Sequence, residues 1–296
     1  MIPTRQRYVL AIGFLCALGV AVWFWTLQLQ GQPAAQPLPA PVTSGAGECN
    51  GAVLPQPPQI DDPAASGRAQ KFCHSFYEVA YSTQFRDPLW SAEHLTRAMA
   101  EASDGFGRTK TGFGQQDGLD AASQGANGDY TGSGYDRGHM TPANDAGDEA
   151  SEADTFVMTN VVPQTKVLNE RLWQYLEASV HQVAERDGEV YVVTGPIFFG
   201  NPQWVSDRVA IPAYTYKAIY VPSTGLAAGF IATNEPQPAC VMVSLAVLHQ
   251  RSGVDPFPGL ADGVKNNRPD IELPHGVHVQ KNGRRTRVPL PDCLAQ

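Results

Sequence analysis

The chain has 296 residues, 43% of them hydrophobic, which is enough material for one sizeable domain with appendages. Its formal net charge of −8, from 21 basic and 29 acidic residues, excludes nucleic-acid binding through overall charge and leaves any such contact to a local basic surface. Helix and strand signals alternate without an internal repeat.

Residues 1–7 carry Arg5 and Arg7 and precede an uncharged stretch at residues 8–27, about 20 residues long and so able to cross a bilayer as a helix. Signal-peptide apolar cores are usually shorter, and no small-x-small cleavage site follows Trp23, Phe24 and Trp25, although Ala34-Ala35 offers a late one. The favoured reading is an uncleaved, single-pass signal anchor in a bacterial inner membrane, with residues 1–7 cytoplasmic and the bulk of the chain periplasmic. Secretion after cleavage is the alternative. Residues 28–63 are rich in Pro, Ala and Gln with few charges, and are expected to form an extended spacer. The folded domain is then residues 64–296.

Of the five cysteines, Cys16 lies in the apolar stretch and Cys49, Cys73, Cys240 and Cys293 form an even set with three pairings open. Cys49 with Cys73 and Cys240 with Cys293 is preferred, because the first ties the linker to the domain and the second pins the tail. Either bridge requires an oxidising compartment.

Within the domain, Ser91 is placed to cap a helix through residue 102, with Leu95, Ala98 and Met99 on its apolar side. Residues 125–134 are Gly-rich but lack the Lys-Ser/Thr of a phosphate loop, and read as a flexible approach to the active site. Next comes the run Asp136-Arg137-Gly138-His139-Met140. It sets an imidazole that titrates near neutral pH beside a guanidinium fork matched to phosphate oxygens, a pair suited to phosphodiester cleavage. Gly138 leaves room for a sharp turn or a close approach.

Acidic residues gather at Asp145, Asp148, Glu149, Glu152 and Asp154, while Arg108, Lys110, Arg137, Lys166 and Arg171 are available to line a cleft. A second cluster begins with Asn160-Val161-Val162-Pro163-Gln164. It continues with Asn169, Trp173 and Glu177, whose steps of four make one slanting stripe on a helix. The Asn169 amide oxygen is a hard neutral ligand of the kind Mg²⁺ accepts while keeping most of its waters, and Glu177 could hold one of those waters.

Residues 189–194, 214–221 and 226–233 are β-branched and aromatic runs that read as strands, and residues 241–250 read as a buried helix closed by Gly253. His74, His94, His181 and His249 have no partner pattern, and His275 and His278 read as loop histidines rather than a metal pair. The basic tail at residues 281–287 reads as a solvated terminal segment before it reads as a strand-binding arm.

Together the Asp-Arg-Gly-His motif at 136–139, the Asn-x-x-Pro-Gln element at 160–164 and the Asn-x3-Trp-x3-Glu spacing at 169–177 resemble the DNA/RNA non-specific endonuclease family of ββα-metal nucleases. Val193-Thr194-Gly195-Pro196, Ile211-Pro212 and Tyr216-Lys217 also resemble its strand signatures. The resemblance covers roughly residues 70 to 260 and implies a mixed α/β domain: a largely antiparallel central sheet flanked by helices, with a ββα active-site unit. It implies His139 as general base, Asn169 as the direct protein ligand of Mg²⁺ (Mn²⁺ being the alternative), Glu177 as the orienter of metal-bound water and Arg137 as a stabiliser of phosphate charge. It places Asn160 in the catalytic set and aligns a further arginine with Arg108. DNA and RNA are the implied substrates, a homodimer is left open, and a catalytically silent domain binding nucleic acid or a protein is the alternative function. The intact His139, Asn169 and Glu177 set favours the enzyme.

Overall fold

β-branched and aromatic runs pair edge to edge here because their side chains fill a pleated surface buried on both faces. The computed structural model describes residues 54–106, 111–267, 269, 271–274, 276–281 and 284–289. Two units divide the chain, Met1–Gln36 and Pro37–Gln296, and every described residue belongs to the second. The expected span at residues 8–27 lies outside the described residues, among which no helix is long and apolar enough to cross a membrane.

In chain order, β1 (Gln59–Ile60) and α1 (Pro63–Arg68) lead into β2 (Gln70–Cys73), β3 (Tyr77–Ser82), β4 (Asp87–Thr96) and α2 (Arg97–Ser103). After α3 (Asn127–Tyr130) come β5 (Tyr135–His139), α4 (Glu149–Asp154) and β6 (Val161–Thr165). A π-helical turn, Leu168–Trp173, then runs into α5 (Gln174–Asp187). The remainder is β7 (Glu189–Ile197), the short pair β8 (Trp204–Val205) and β9 (Val209–Ala210), β10 (Tyr214–Val221), β11 (Leu226–Thr233), β12 (Cys240–Val243) and α6 (Leu245–Ser252). The chain then passes through β13 (Val254–Asp255), α7 (Asp262–Asn266) and the hairpin β14 (Gly276–Lys281) and β15 (Arg284–Pro289).

Seven strands form one sheet in the order β12-β11-β10-β7-β4-β3-β2, with every neighbouring pair antiparallel. Helices cover both faces, as expected. On one face Leu172, Trp173, Leu176, Val180 and Val183 pack on Val190, Val192, Ile219 and Phe230. On the other, Leu245 and Leu248 of α6 and Phe257 pack on Trp90, Ala92, Tyr216 and Ala218. Full burial of each such side chain contributes about 1.5–3 kcal/mol.

Two expected helices are corrected. Ser91 does not cap a helix; it lies in β4, and the helix begins at Arg97, capped by Thr96, whose hydroxyl accepts from the Met99 amide at 3.3 Å. Pairing of residues 91–96 with β7, and of 91–93 with β3 as well, overrides the helical spacing of their apolar residues. Likewise residues 240–243 are an edge strand, and the helix starts after Ser244, whose Oγ accepts from the Val247 amide. Gly253 does close it, at φ 69°. The strand expected at 189–194 continues to Ile197.

The four histidines without a sequence pattern each meet a carboxylate: His74–Asp154 at 2.9 Å, His94–Glu189 at 2.6 Å, His181–Asp145 at 3.0 Å and His249–Asp61 at 2.7 Å. Their partners lie 36 to 188 residues away in sequence, so no local motif could show them. His275 lies outside the described residues, and His278 belongs to β14.

Cys73 and Cys240 are both disulfide-bonded. They occupy opposite edge strands of the sheet, six strand spacings apart, or about 29 Å at 4.8 Å per spacing, whereas a bridge needs Cα atoms within about 7 Å. They are therefore not bonded to each other, and one of the three pairings is eliminated. The other cysteines lie outside the described residues.

Candidate active site

Alternation along β5 sends Arg137 and His139 to one face of a two-stranded ribbon and Asp136 and Gly138 to the other. The ribbon pairs β5 with β6 in register, His139 opposite Val161, Arg137 opposite Pro163 and Asp136 opposite Gln164. The helix beginning at Leu168 comes directly after β6, so the expected ββα unit is present. Gly138 is required: the buried Gln164 side chain lies across it, and a Cβ at 138 would overlap the Gln164 amide. Thr165 donates its amide to Asn234 Oδ1 at 2.8 Å, and Asn234 Nδ2 donates to the Pro163 and Pro212 carbonyls, which fastens the ribbon's end to the sheet.

His139 is half-buried between two rings, Phe113 and Phe156, each with its centroid 5.0 Å from the imidazole. Those walls fix the ring plane and limit its access to water. Arg137 donates from Nη1 to Asn127 Oδ1 at 2.7 Å, and its guanidinium carbon lies 4.9 Å from the Phe113 ring and 5.9 Å from the Tyr130 ring. A stacked and tethered guanidinium loses less rotamer freedom when it meets a phosphate. Asn127 and Tyr130 belong to α3, so the Gly-rich stretch expected to be a flexible approach carries an ordered helix that positions Arg137. Asp129 of the same helix pairs with Arg208 at 3.2 Å.

Asn160 is fully buried and committed to the protein. Its Oδ1 accepts from the Thr141 amide at 3.0 Å and from Ser91 Oγ at 3.4 Å, and its Nδ2 donates to the carbonyls of Thr141 at 2.9 Å and Thr155 at 3.1 Å. It closes the 140–160 loop against the ribbon. These bonds commit the Asn160 carboxamide to the protein, and we propose for it a positioning part in the catalytic set in which the resemblance placed it.

Asn169 donates from Nδ2 to Asp136 Oδ2 at 3.2 Å, which joins the second cluster to the first. Asn169 and Trp173 lie in a π-helical turn and Glu177 in the α-helix that follows it, so the steps of four run through two helical geometries. Trp173 is 1% exposed and anchors the helix on the sheet, while Asn169 and Glu177 remain partly exposed. Arg108 and Lys110 lie outside the described residues. Lys166 pairs with Glu170 at 3.0 Å in an exposed i,i+4 bridge. The acidic run has local duties: Asp148 caps α4, and Asp154 binds His74 and the Ser75 amide. Burial opposes the Asp154 charge, but those bonds hold its pKa below the usual carboxylate value.

Sequence reading missed Asn127, Phe113, Phe156 and Asn234, all of which act across sequence-distant contacts. Asp136 stood inside the motif, and its bond to Asn169 gives it a purpose.

A family model described as DNA/RNA non-specific endonuclease matches residues 59–263. The chain belongs to that family. It is 34% identical over 179 residues to Nuclease C1 of Cunninghamella echinulata var. echinulata, covering 55% of this chain and 69% of that protein. It is 33% identical over 221 residues to the mitochondrial nuclease EXOG of Danio rerio, covering 66% of this chain and 62% of that one. With mitochondrial endonuclease G of Bos taurus it shares 32% identity over 173 residues, covering 54% and 56%. This member of the family therefore spans under two thirds of the latter two relatives. Its fold is similar to a solved structure described as the EndoG/EndoGI complex, with a TM-score of 0.57, 27% identity and coverage of 63% of this chain and 86% of that chain.

Proposed function

We propose that this chain is a Mg²⁺-dependent endonuclease, with Mn²⁺ as the alternative metal, that hydrolyses phosphodiester bonds in DNA and RNA without sequence preference. One observation carries the reading: a single ββα unit holds Arg137 and His139 on one strand face and ties Asn169 to Asp136 of that strand. Family membership and relatives named as nucleases support it.

The donor set fits a hard cation. The Asn169 amide nitrogen is occupied by Asp136, so an amide oxygen and nearby carboxylates are the groups available, all oxygen ligands. Asn169 would hold the ion, and Glu177 would orient the water around it. When bound, Mg²⁺ supplies charge stabilisation at the phosphate.

His139 acts as the general base, taking a proton from the attacking water while the new O–P bond forms and the P–O3′ bond breaks. Arg137, held by Asn127 and the Phe113 ring, presents its remaining N–H groups to the non-bridging oxygens as negative charge builds. These residues read phosphate rather than base edges, which is the physical content of non-specificity. The test is to incubate the purified chain with circular plasmid and with RNA, with Mg²⁺, with Mn²⁺ and with chelator. Metal-dependent loss of both substrates is expected; cutting that persists in chelator, or none under any condition, overturns the proposal.

A further inference from the structure

Lys217 sits in β10, near the middle of the sheet, and is 1% exposed. It lies on the face that carries α5, opposite Thr194 of β7. Its Nζ donates to Thr194 Oγ1 at 2.7 Å and stands 5.6 Å from the centroid of the Trp173 ring. A cation under an indole at this depth is an attractive contact whose strength grows with desolvation. Glu93 of β4, also 1% exposed, is the buried acid that interacts with Lys217. Burial raises the Glu93 pKa, Asp145 and Glu177 raise it further, and Lys217 opposes them.

A buried ammonium is a poor way to stabilise a core. Its desolvation is costly, and apolar replacements of buried ions are often neutral or stabilising. Its location supplies the reason to keep it. Trp173 is four residues after Asn169 and four before Glu177, at the junction where the π-helical turn becomes α5. Single π turns inside helices are frequent at functional sites. The Lys217–Trp173 contact is thus one point, beside the apolar packing of Leu172 and Leu176, at which the sheet grips the segment between the two residues assigned to the metal.

The geometry points to Lys217 as a positioning residue of the active site, acting through Trp173 to fix the helical register that holds Asn169 and Glu177 toward the same cation. This rests on the metal assignment proposed above. Displacement by about 1 Å at such a point is enough to cost 10²-fold in rate.

The test uses the full chain and three readouts: Mn²⁺ affinity by titration calorimetry, thermal midpoint, and plasmid cleavage as a function of Mg²⁺. Asn169→Ala should lose Mn²⁺ binding. Lys217→Met should weaken it by about 10- to 100-fold, as loss of supporting groups around a metal does, in samples whose thermal midpoint shows them to be folded. Trp173→Leu should weaken it comparably, and the double variant should be no weaker than the worse single one. Lys217→Gln, which keeps a donor for Thr194 without the charge, carries the same expectation and decides the matter if the Met variant does not fold. Mn²⁺ affinity within twofold of the unmodified protein in the Lys217 variants, beside a dead Asn169→Ala, overturns the inference. So do losses that multiply in the double variant. Unchanged binding in Asn169→Ala removes the metal assignment itself, and the inference with it.

Discussion

His139 supplies proton transfer and little grip on phosphate, so His139→Ala is expected to lower cleavage on the order of 10²–10⁴-fold while nucleic-acid binding, followed by fluorescence anisotropy, stays nearly intact. A variant that cuts plasmid at the unmodified rate would eliminate His139 as the base. Asn169 and Glu177 differ in how they would meet the ion. Asn169→Ala should weaken Mg²⁺ dependence and activity together, and excess Mg²⁺ should rescue Glu177→Ala better than Asn169→Ala. Identical Mg²⁺ profiles for the unmodified protein and Asn169→Ala would remove Asn169 from direct ligation. At this scale the candidate chemistry was legible because Asp136, Arg137, Gly138 and His139 are contiguous on one strand. The groups that hold it in place were not. Asn127 and Phe113 reach Arg137 from 10 and 24 residues upstream, and nothing in their own neighbourhood marks them.

Between elements, Asn160 and His181 are fasteners whose loss should be felt by more than one of them. Asn160→Ala leaves the buried Thr141 amide and the Thr141 and Thr155 carbonyls without their partner, at about 1–3 kcal/mol for each group left unpaired. The urea midpoint should fall accordingly; an unchanged midpoint would show that the loop is held by something else. His181 of α5 lies between two acceptors, Asp145 at 3.0 Å from Nδ1 and the Ala100 carbonyl of α2 at 3.2 Å from Nε2, so the charged ring satisfies both. Burial opposes that charge, yet the bond to Asp145 and the charges of Asp145, Glu185 and Asp104 hold the His181 pKa above the usual imidazole value. Because the folded pKa is the higher one, this stabilisation is complete below the unfolded value of about 6.5 and is lost as pH rises through the folded value. The urea midpoint should therefore decline as pH is raised from about 6.5, and His181→Gln should flatten that decline. A slope that His181→Gln leaves unaltered would place the titrating group elsewhere. Strands Tyr214–Val221 and Leu226–Thr233 were readable because turn residues bound a β-branched run. Residues 91–96 were not, since their apolar spacing also fits a helix and only pairing with β3 and β7 decides between the two.

Across the whole molecule, the two bridged cysteines and the N-terminal sequence bear on a single question, the compartment in which the domain works. Cys73 and Cys240, on opposite edges of the sheet, each belong to a separate disulfide, and stable bridges form in oxidising compartments. Arg5 and Arg7 precede the apolar stretch at 8–27, and no Lys or Arg falls between Thr26 and Asp61, which is the charge bias expected if the stretch spans a membrane with the N-terminus cytoplasmic. An active nuclease in the cytoplasm would also meet the cell's own chromosome, so a periplasmic domain held by an uncleaved anchor fits the proposed chemistry. On this hypothesis an alkaline phosphatase fused after Gln296 is active, and the protein stays with membranes through a high-salt wash. Maleimide then labels none of Cys49, Cys73, Cys240 and Cys293 until a reductant is added. Release of an active, fully bridged protein into the medium would favour cleavage near Ala34-Ala35 over the anchor. A cytosolic protein whose four thiols all react would overturn the compartment and the topology together.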